Sequence, residues 1–482
     1  MSPVSNSSAQ AVFDIFDQLN QVPRPSHKEG RIADWLCSFA EKNGLEYDRD
    51  AHNCVVIRKP ASKGFEDREP LVILNHMDMV CVADEGVEYD PENTPIKAYV
   101  DDGWLKARGT SLGSDNGIGL SMALAILQDD SIAHPAIEVL TTTNEEDGMS
   151  GAANLDAGFI RGRKVLNLDS EEYDTITVGA AGAYLQIHEI PYTPVPAPDG
   201  WSFFNLKVSG GLGGHSGVDI NKGRCNANKF IFTVLKAIKD SMSVVIGKVG
   251  GGEANASIAM GAAALFGVPQ DKAPDMQKIA SETVEDILSQ YRLTDPGLSA
   301  ELKPSAEPCP EVICRESCDK LIDAISMVPS GVVDPEGCGS DVTPMTSNNI
   351  GLVEMKDGVI SVSTHTRSFS DVDMTALGER IKNAFGADTT LVMSAPAWRE
   401  RKDSRYIAAV SDTFREVLGF EPTRVEMHFV LEAGYYVRKY PGIEIACIGP
   451  RIVCPHSTKE RVDIATVENI WKVVLKILTC EV

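Results

Sequence analysis

Short apolar runs alternate with helical patterns at both ends of this chain, and this alternation limits its fold more than any other feature. Four short apolar runs lie at 53–58, 71–75, 137–143 and 164–168, the first of them β-branched, and helical patterns lie at 31–42 and 117–128. The end of the chain repeats the arrangement, with a predicted strand at 443–448 and predicted helices at 404–418 and 464–479. Such strands, separated by helices, indicate an α/β sheet covered on both faces.

The middle of the chain has a different pattern. Residues 191–200 (PYTPVPAPDG) contain four prolines, a composition that indicates a connection between folded units. From there to about residue 390 the pattern is rich in strands, with two long predicted helices at 227–241 and 275–291. The sequence therefore predicts an α/β domain split into 1–185 and 396–482, interrupted by an inserted α+β domain at 186–395.

Composition excludes several classes of partner. The 482 residues carry 45 Lys and Arg against 69 Asp and Glu, a net charge of −24. A surface this acidic repels phosphates, so we expect no binding to nucleic acid or to an anionic membrane. The apolar runs are shorter than the roughly 18–20 residues of a membrane-spanning helix. Since no basic residue precedes Arg24, a secretory signal is not predicted, and we expect a cytoplasmic location.

The eleven cysteines are spread along the chain, and their odd number argues against a disulfide framework. A metal knuckle is one interpretation of a group close in sequence, formed by Cys309, Cys314, Cys318 and Cys338. Because the group lacks a CxxC pair, reduced structural thiols are the preferred interpretation, and the role of the group stays open.

Histidines and carboxylates lie at or shortly beyond the ends of the predicted α/β strands, or at a helix start. In chain order they are His76, Asp78, Asp115, Glu145, Glu146, Asp169 and His456. Because the carboxyl ends of strands form one edge of an open α/β sheet, we expect these side chains to meet there. Two imidazoles with several carboxylates suit divalent metal ions, and a shared carboxylate can hold two ions about 3.5–4 Å apart.

Each of these motifs taken alone has a simpler interpretation. An HxD motif is most often a surface feature, and a Glu-Glu pair usually belongs to a solvated loop. Asp115, in a glycine-flanked loop, could cap a helix or close a turn. Their joint placement and order favour the metal site.

The order of the motifs resembles the M20 family of metallopeptidases, in the branch of aminoacyl-histidine dipeptidases and cytosolic non-specific dipeptidases. The resemblance covers nearly the whole chain. The motifs that carry it are VPRPSHKE at 22–29, HMD at 76–78, GSDNG at 113–117, NEEDG at 144–148, NLDSE at 167–171, GGHSG at 213–217, GP at 449–450 and PHS at 455–457.

The resemblance implies a site for two metal ions. Asp115 would bridge the two ions. His76 and Asp169 would complete one site, and Glu146 and His456 would complete the other.

The resemblance also implies the residues that move protons and orient ligands. Glu145 would be the general base, taking a proton from a water held between the ions and passing it to the leaving amine. Asp78 would accept the far N–H of His76 and so fix the ligating nitrogen. The peptide bond between Asp115 and Asn116 would be cis.

Four further residues are implied to contact substrate. His215 would contact the carbonyl oxyanion, and Asn255 would lie near the substrate. Arg367 would clamp the terminal carboxylate, and Glu432 would face the free amine. A polar loop histidine and a salt-bridged strand arginine are the alternatives for His215 and Arg367. Because His215 belongs to the insert, it would act through closure of the insert as a lid domain or from a partner subunit.

Two segments depart from the pattern of the branch. Residues 257–259 (SIA) stand where the branch usually has Ile-Pro. Between His428 and Glu432, which keep their places, the usual small residues are replaced by Phe429 and Val430. The bulk of these two side chains leaves the preferred substrate side chain open.

The function implied is a metallo-exopeptidase that hydrolyses short unblocked dipeptides, with Xaa-His as one candidate class. Two divalent ions per subunit are expected, zinc first, with manganese or cobalt as alternatives, and the expected assembly is a homodimer. A tripeptidase or an N-acyl amino-acid amidohydrolase of the same fold is the nearest alternative. A non-catalytic metal- or peptide-binding protein is the alternative of another class.

Overall fold

A computed structural model describes residues 2–333 and 342–481. The helices of that part are α1 (Gln10–Leu19), α2 (Gly30–Lys42), α3 (Ser114–Gln128), α4 (Ser150–Asn154), α5 (Ala227–Lys239), α6 (Ala273–Tyr291), α7 (Arg315–Met327), α8 (Asp371–Phe385), α9 (Arg405–Leu418), α10 (Ala433–Lys439) and α11 (Ile464–Ile477), with a 3₁₀ turn at Gln270–Lys272.

The strands, in chain order, are β1 (Glu46–Arg49), β2 (Val55–Lys59), β3 (Leu71–His76), β4 (Ala98–Asp101), β5 (Trp104–Ala107), β6 (Ile137–Thr142), β7 (Lys164–Asn167), β8 (Thr175–Ala180), β9 (Gly182–Pro191), β10 (Pro194–Pro196), β11 (Trp201–Ser209), β12 (Val245–Gly251), β13 (Ala262–Pro269), β14 (Ser299–Pro304), β15 (Glu311–Ile313), β16 (Gly331–Val332), β17 (Thr346–Lys356), β18 (Val359–Ser368), β19 (Asp388–Ala395), β20 (Trp398–Arg399), β21 (Thr423–Met427), β22 (Glu444–Cys447), β23 (Ile452–Val453) and β24 (Arg461–Asp463).

The chain forms two compact units. The first comprises Met1–Gly179, Trp398–Glu426 and Leu431–Val482. The second comprises Ala180–Ala397 together with the short segment Met427–Val430. Each unit has its own buried apolar core, so each is described by itself below.

The sheet of the first unit has the strand order β1-β2-β6-β3-β7-β22-β8-β20, with β21 beside β8. Its four central strands, β6, β3, β7 and β22, are parallel to their neighbours within that group. Every residue of β3 and β6 is buried, which explains why their sequences are mainly apolar and do not alternate with exposed polar residues. Because the four strands point the same way, the residues that follow them emerge at one edge of the sheet.

The second unit contains an antiparallel sheet of order β14-β11-β13-β12-β17-β18-β9-β19, with β16 beside β17. Buried faces of α5, α6, α7 and α8 complete its core. The sequence pattern predicted only two long helices in this region, so α7 and α8 were missed.

The interpretation of the proline-rich residues 191–200 as a connection between units is wrong. This segment lies inside the second unit, where β10 pairs with β15 in a small two-stranded sheet. Proline lacks an N–H, but a short edge strand tolerates it because few ladder bonds are needed.

Two further expectations concern membranes and thiols. Among the described residues, none of the helices has the length and apolar character needed to cross a membrane. In the same part of the chain ten cysteines are free thiols. Cys318 is buried in the core of the second unit, and Cys314 bonds Ser317, but Cys338 lies outside the described residues.

Candidate active site

The edge at the carboxyl ends of the parallel strands carries the predicted ligands. β3 ends at His76, and β6 is followed by Glu145 and Glu146. β7 is followed by Asp169, and the segment after β22 leads to His456. The order of the parallel strands therefore brings together side chains that are as far apart in sequence as His76 and His456.

Asp115 lies between the two histidines. Its Oδ1 is 3.1 Å from Nε2 of His76, and its Oδ2 is 3.1 Å from Nε2 of His456. Nε2 of His76 is also 3.4 Å from Oδ1 of Asp169, and Nε2 of His456 is 2.8 Å from Oε2 of Glu146. The five predicted ligands thus form two triads that share one carboxylate.

Asp78 holds the other side of His76. Nδ1 of His76 is 3.1 Å from the carbonyl oxygen of Asp78 and 3.4 Å from its Oδ1, so the Nδ1 proton points away from the two triads. Asp78 also accepts from the Ser26 hydroxyl at 2.7 Å and from the main-chain N–H groups of Glu145 and Glu146 at 3.1 and 3.2 Å. Although its burial opposes ionisation, the hydrogen bond from His76 keeps the pKa of Asp78 below its usual value.

Glu460 holds the loop that carries Asp115. Its carboxylate accepts from the main-chain N–H groups of Leu112, Gly113 and Ser114 at 2.7, 3.0 and 2.7 Å, and from the Ser114 hydroxyl at 2.6 Å. The Asp115–Asn116 peptide bond is cis, as the resemblance implies. Sequence reasoning placed Glu460 just beyond the last motif, four residues after His456, but assigned it no role.

The charges of the site favour cations. Burial raises the pKa values of Glu145, Glu146 and Asp169 above their usual range. The hydrogen bonds that His456 donates to the carboxylates of Asp115 and Glu146 raise the pKa of His456 to about 11.

The fit of a divalent ion is also visible in the hydrogen bonds. Within the described part of the chain, the two histidines are the only basic side chains that form ion pairs with Asp115, Glu146 and Asp169. There, too, the buried Oε1 of Glu146 has no hydrogen-bond partner. A concentration of carboxylates with an unpartnered buried oxygen fits divalent metal ions, which carboxylate and imidazole donors hold well.

Two more carboxylates lie at this edge. An oxygen of Glu171 falls within 4.8 Å of ligating atoms of both Asp115 and His456. Burial, together with the negative charge of Asp115, raises the pKa of Glu171 to about 8. The NLDSE motif contained this residue, but no ligand role was assigned to it from sequence.

Glu432 is buried beside the end of β6. Its Oε2 accepts hydrogen bonds from the Thr142 hydroxyl at 2.9 Å and the Tyr436 hydroxyl at 3.2 Å. Its buried Oε1 has no partner within the described residues. Burial raises the pKa of this carboxyl group.

His215 belongs to the second unit. Its Nδ1 accepts from the main-chain N–H groups of Gly217 and Val218, both at 3.2 Å. Because Nδ1 is an acceptor, the ring proton is assigned to Nε2, which is then a donor. Burial and the nearby charge of Arg367 lower the pKa of His215, which favours this neutral form.

The residues near His215 include the predicted Asn255. Ser216 N–H donates to the carbonyl of Ala256 at 2.8 Å, and His215 pairs with Ser257 in an isolated antiparallel bridge. These bonds bring the loop of Asn255 beside that of His215.

Arg367 lies in the same unit and is only 3% exposed. Its Nη2 is 3.3 Å from the Ser216 hydroxyl, and its buried Nε has no hydrogen-bond partner in the described part of the chain. Burial lowers the pKa of Arg367 to about 10.

Two buried histidines, His365 and His428, lie close enough to Arg367 for its charge to lower their pKa values. His365 is two residues away on β18, and both of its buried ring nitrogens lack partners among the described residues. His428 binds the Ser347 hydroxyl through Nε2 at 2.8 Å, while its Nδ1 is equally unpartnered in that part of the chain. Burial lowers the pKa of His428 to about 3. Sequence reasoning missed His365, whose alternation with Arg367 along a strand was the available signal.

Comparison with known proteins identifies the family. A model of peptidase family M20/M25/M40 matches residues 72–479. The chain belongs to this peptidase family. Over 481 residues it is 32% identical to the cytosol non-specific dipeptidase of Escherichia coli (strain K12), with 99% of each chain covered.

Solved structures agree with this membership. Aminoacylhistidine dipeptidase from Vibrio alginolyticus matches with a TM-score of 0.90 and 29% identity, covering 98% of this chain and 97% of that one. The aminopeptidase PepT from Bacillus cereus has the same fold, with a TM-score of 0.60, 16% identity and 97% of each chain covered. The resemblance, the fold class of a split α/β domain with an inserted domain, and the enzyme class of a hydrolytic metallopeptidase are thereby confirmed. Membership of this metallopeptidase family also implies that the chain binds divalent metal ions.

Proposed function

We propose that this M20/M25/M40 family member is a dipeptidase that hydrolyses short unblocked dipeptides, with Xaa-His as one candidate class. The observation that carries the proposal is the position of Asp115 between His76 and His456, with further carboxylates beside both histidines. The names of the relatives from Escherichia coli and Vibrio alginolyticus, both dipeptidases, support this substrate class.

We propose that the site holds two divalent ions, zinc first, with manganese or cobalt as alternatives. His76, Asp115 and Asp169 would hold one, and Asp115, Glu146 and His456 the other. When bound, such ions polarise a peptide carbonyl and lower the pKa of water towards neutrality. Asp78 keeps Nε2 of His76 available by engaging its Nδ1 proton.

Glu145 is the proposed general base. It directly precedes the ligand Glu146, and its own main-chain N–H is fixed on Asp78. In this role its carboxylate takes a proton from the attacking water and delivers it to the amine that leaves.

We propose that the two ends of the dipeptide bind to buried polar atoms of Glu432 and Arg367. Oε1 of Glu432 would accept from the free amine, and the Nε2 proton of His215 would stabilise the carbonyl oxyanion. Arg367, whose buried Nε needs an acceptor, would bind the terminal carboxylate, with Asn255 nearby. A buried guanidinium without an anionic partner is costly, so a ligand carboxylate is a favourable occupant.

A library of dipeptides tests the proposal on metal-stripped protein reconstituted separately with zinc, manganese and cobalt. We expect hydrolysis of free dipeptides that depends on added metal. Faster cleavage of tripeptides or N-acyl amino acids would assign one of the alternative activities. Metal binding without any hydrolysis would assign the non-catalytic alternative.

The role of Arg367 has a sharper test in dipeptides whose terminal carboxylate is converted to an amide. The wild type should prefer the free acid, and Arg367→Gln should lose most of that preference through a higher KM for the acid. His365→Gln serves as a neighbouring comparison, with a smaller effect because a neutral ring carries no charge. An unchanged preference in Arg367→Gln would refute the carboxylate clamp.

A homodimer and a cytoplasmic location remain proposals as well. The resemblance supports the first, and the cytosolic name of the Escherichia coli relative supports the second. Sedimentation of the full chain tests for the homodimer, and cell fractionation tests the location.

A further inference from the structure

The carboxylate of Glu171 lies among the proposed ligands but has no part in the roles assigned above. Ligating atoms of Asp115, Glu171 and His456 fall within 4.8 Å of one another, and a second such group is formed by His76, Asp115 and Glu146. Glu171 is thus grouped with Asp115 and His456 rather than with His76.

Main-chain contacts fix the backbone of Glu171 beside the segment that follows β22. Its carbonyl accepts from the N–H of Ile452 at 3.1 Å, and the N–H of Ser170 donates to the carbonyl of Ile448 at 3.3 Å. Between them, Gly449 packs so closely that a Cβ there would lie 1.8 Å from the carbonyl oxygen of Ser170. The segment that carries Glu171 is therefore held against the segment that leads to His456.

We infer that Glu171 is a fourth protein donor for the second ion, the one assigned to Asp115, Glu146 and His456. The inference rests on the two-ion site of the proposed function and adds to it a difference between the two positions. With Glu171, the second position has three carboxylates and one imidazole. The first position, with His76, Asp115 and Asp169, has two carboxylates and one imidazole.

This difference in donors gives the two positions different preferences. Carboxylate oxygens suit Mn²⁺, whereas imidazole suits Zn²⁺. A fourth protein donor also leaves fewer coordination places for water. The second position should therefore accept Mn²⁺ more readily than the first, and this tolerance should depend on Glu171.

Metal titration of the full-length, metal-stripped protein tests the inference without measuring hydrolysis. Free Mn²⁺ is counted by electron paramagnetic resonance, and Zn²⁺ affinity is measured by competition with a chromogenic chelator. Glu171→Gln should weaken the second Mn²⁺ by roughly 10–100-fold, the usual effect of losing a residue that supports a metal site. The first ion should be unaffected, and the loss for Zn²⁺ should be smaller than for Mn²⁺.

Glu172→Gln is the matched control. Glu172 is the next residue in the chain, its side chain is exposed, and the substitution removes the same charge. It should bind both ions as the wild type does. If Glu171→Gln does not fold, Glu171→Asp keeps the charge with a shorter reach and should weaken the second Mn²⁺ by a smaller factor.

The outcomes separate this inference from the proposed function. A wild type that binds fewer than two ions overturns both. If the wild type binds two, and the Glu171 variants bind them with unchanged affinity, only the role of Glu171 is overturned. Equal weakening of both ions would also contradict its assignment to the second position.

Discussion

Replacing Glu460 by glutamine tests how the loop of Asp115 is held in place. One carboxylate oxygen of Glu460 accepts from the N–H groups of Leu112 and Gly113. The other accepts from the N–H and hydroxyl groups of Ser114 and from the N–H of Asp115. Glutamine has the same shape but turns one of the two oxygens into an NH₂ group. Two main-chain N–H groups then lose their acceptor, whichever way the amide points, because each oxygen serves two of them.

The magnitude follows from this count. A buried donor without an acceptor costs about 1–3 kcal/mol, so Glu460→Gln should lower the free energy of unfolding by about 2–6 kcal/mol. Urea unfolding followed by tryptophan fluorescence measures the change, since four of the five tryptophans belong to the first unit. Metal binding should also weaken, because Asp115 directly follows the loosened turn.

Glu88→Gln is the control for the loss of charge, because Glu88 is exposed. Its free energy of unfolding should stay within about 0.5 kcal/mol of the wild type. If Glu460→Gln were as stable as this control and bound metal normally, the reasoning about the Asp115 loop would be refuted.

Three other variants test separate parts of the account. Glu145→Gln should lower kcat by roughly 10²–10⁴-fold with metal content near wild type; loss of metal would make Glu145 a ligand instead. His215→Ala should lower kcat, leave metal content intact and change KM little. Mixing it with Glu145→Gln under subunit exchange restores activity only if His215 acts on a partner chain, and a fully active His215→Ala would refute the oxyanion role. Lys229→Met removes an ammonium that donates to three carbonyls at the end of α7, at 2.7–2.9 Å. It should cost about 3 kcal/mol in urea unfolding, and an unchanged midpoint would contradict this role.

The first unit was largely predictable because its signals are local. Each central strand has an apolar run of two to four residues, and each proposed ligand stands at or shortly beyond a strand end or a helix start. β3 with His76 and β7 with Asp169 are examples. One rule about the carboxyl ends of parallel strands was then enough to bring these side chains together.

The second unit was less predictable. Helix α8 had usable local signals, since the Ser370 hydroxyl caps its start and Gly386 ends it in a left-handed conformation. Helix α7 lacks a side-chain cap, so only its apolar spacing marked it.

The unpartnered nitrogens around Arg367 depend on tertiary structure. One of these nitrogens belongs to His428, in the segment Met427–Val430, which is part of the second unit although it is distant in sequence from the rest of it. Glu460 is a similar case, because its donors lie about 345 residues away in sequence. No periodicity within one segment can reveal such pairs.

Metal analysis of two aspartate variants tests the central claim most directly. Asp115 is proposed to serve both ions and Asp169 only one. Purified full-length wild type, Asp115→Ala and Asp169→Ala are saturated with zinc, desalted and measured by mass spectrometry for metal per chain. We expect two ions in the wild type, loss of both from Asp115→Ala and loss of chiefly one from Asp169→Ala. Equal loss from the two variants, or a normal content in Asp115→Ala, would contradict the shared carboxylate.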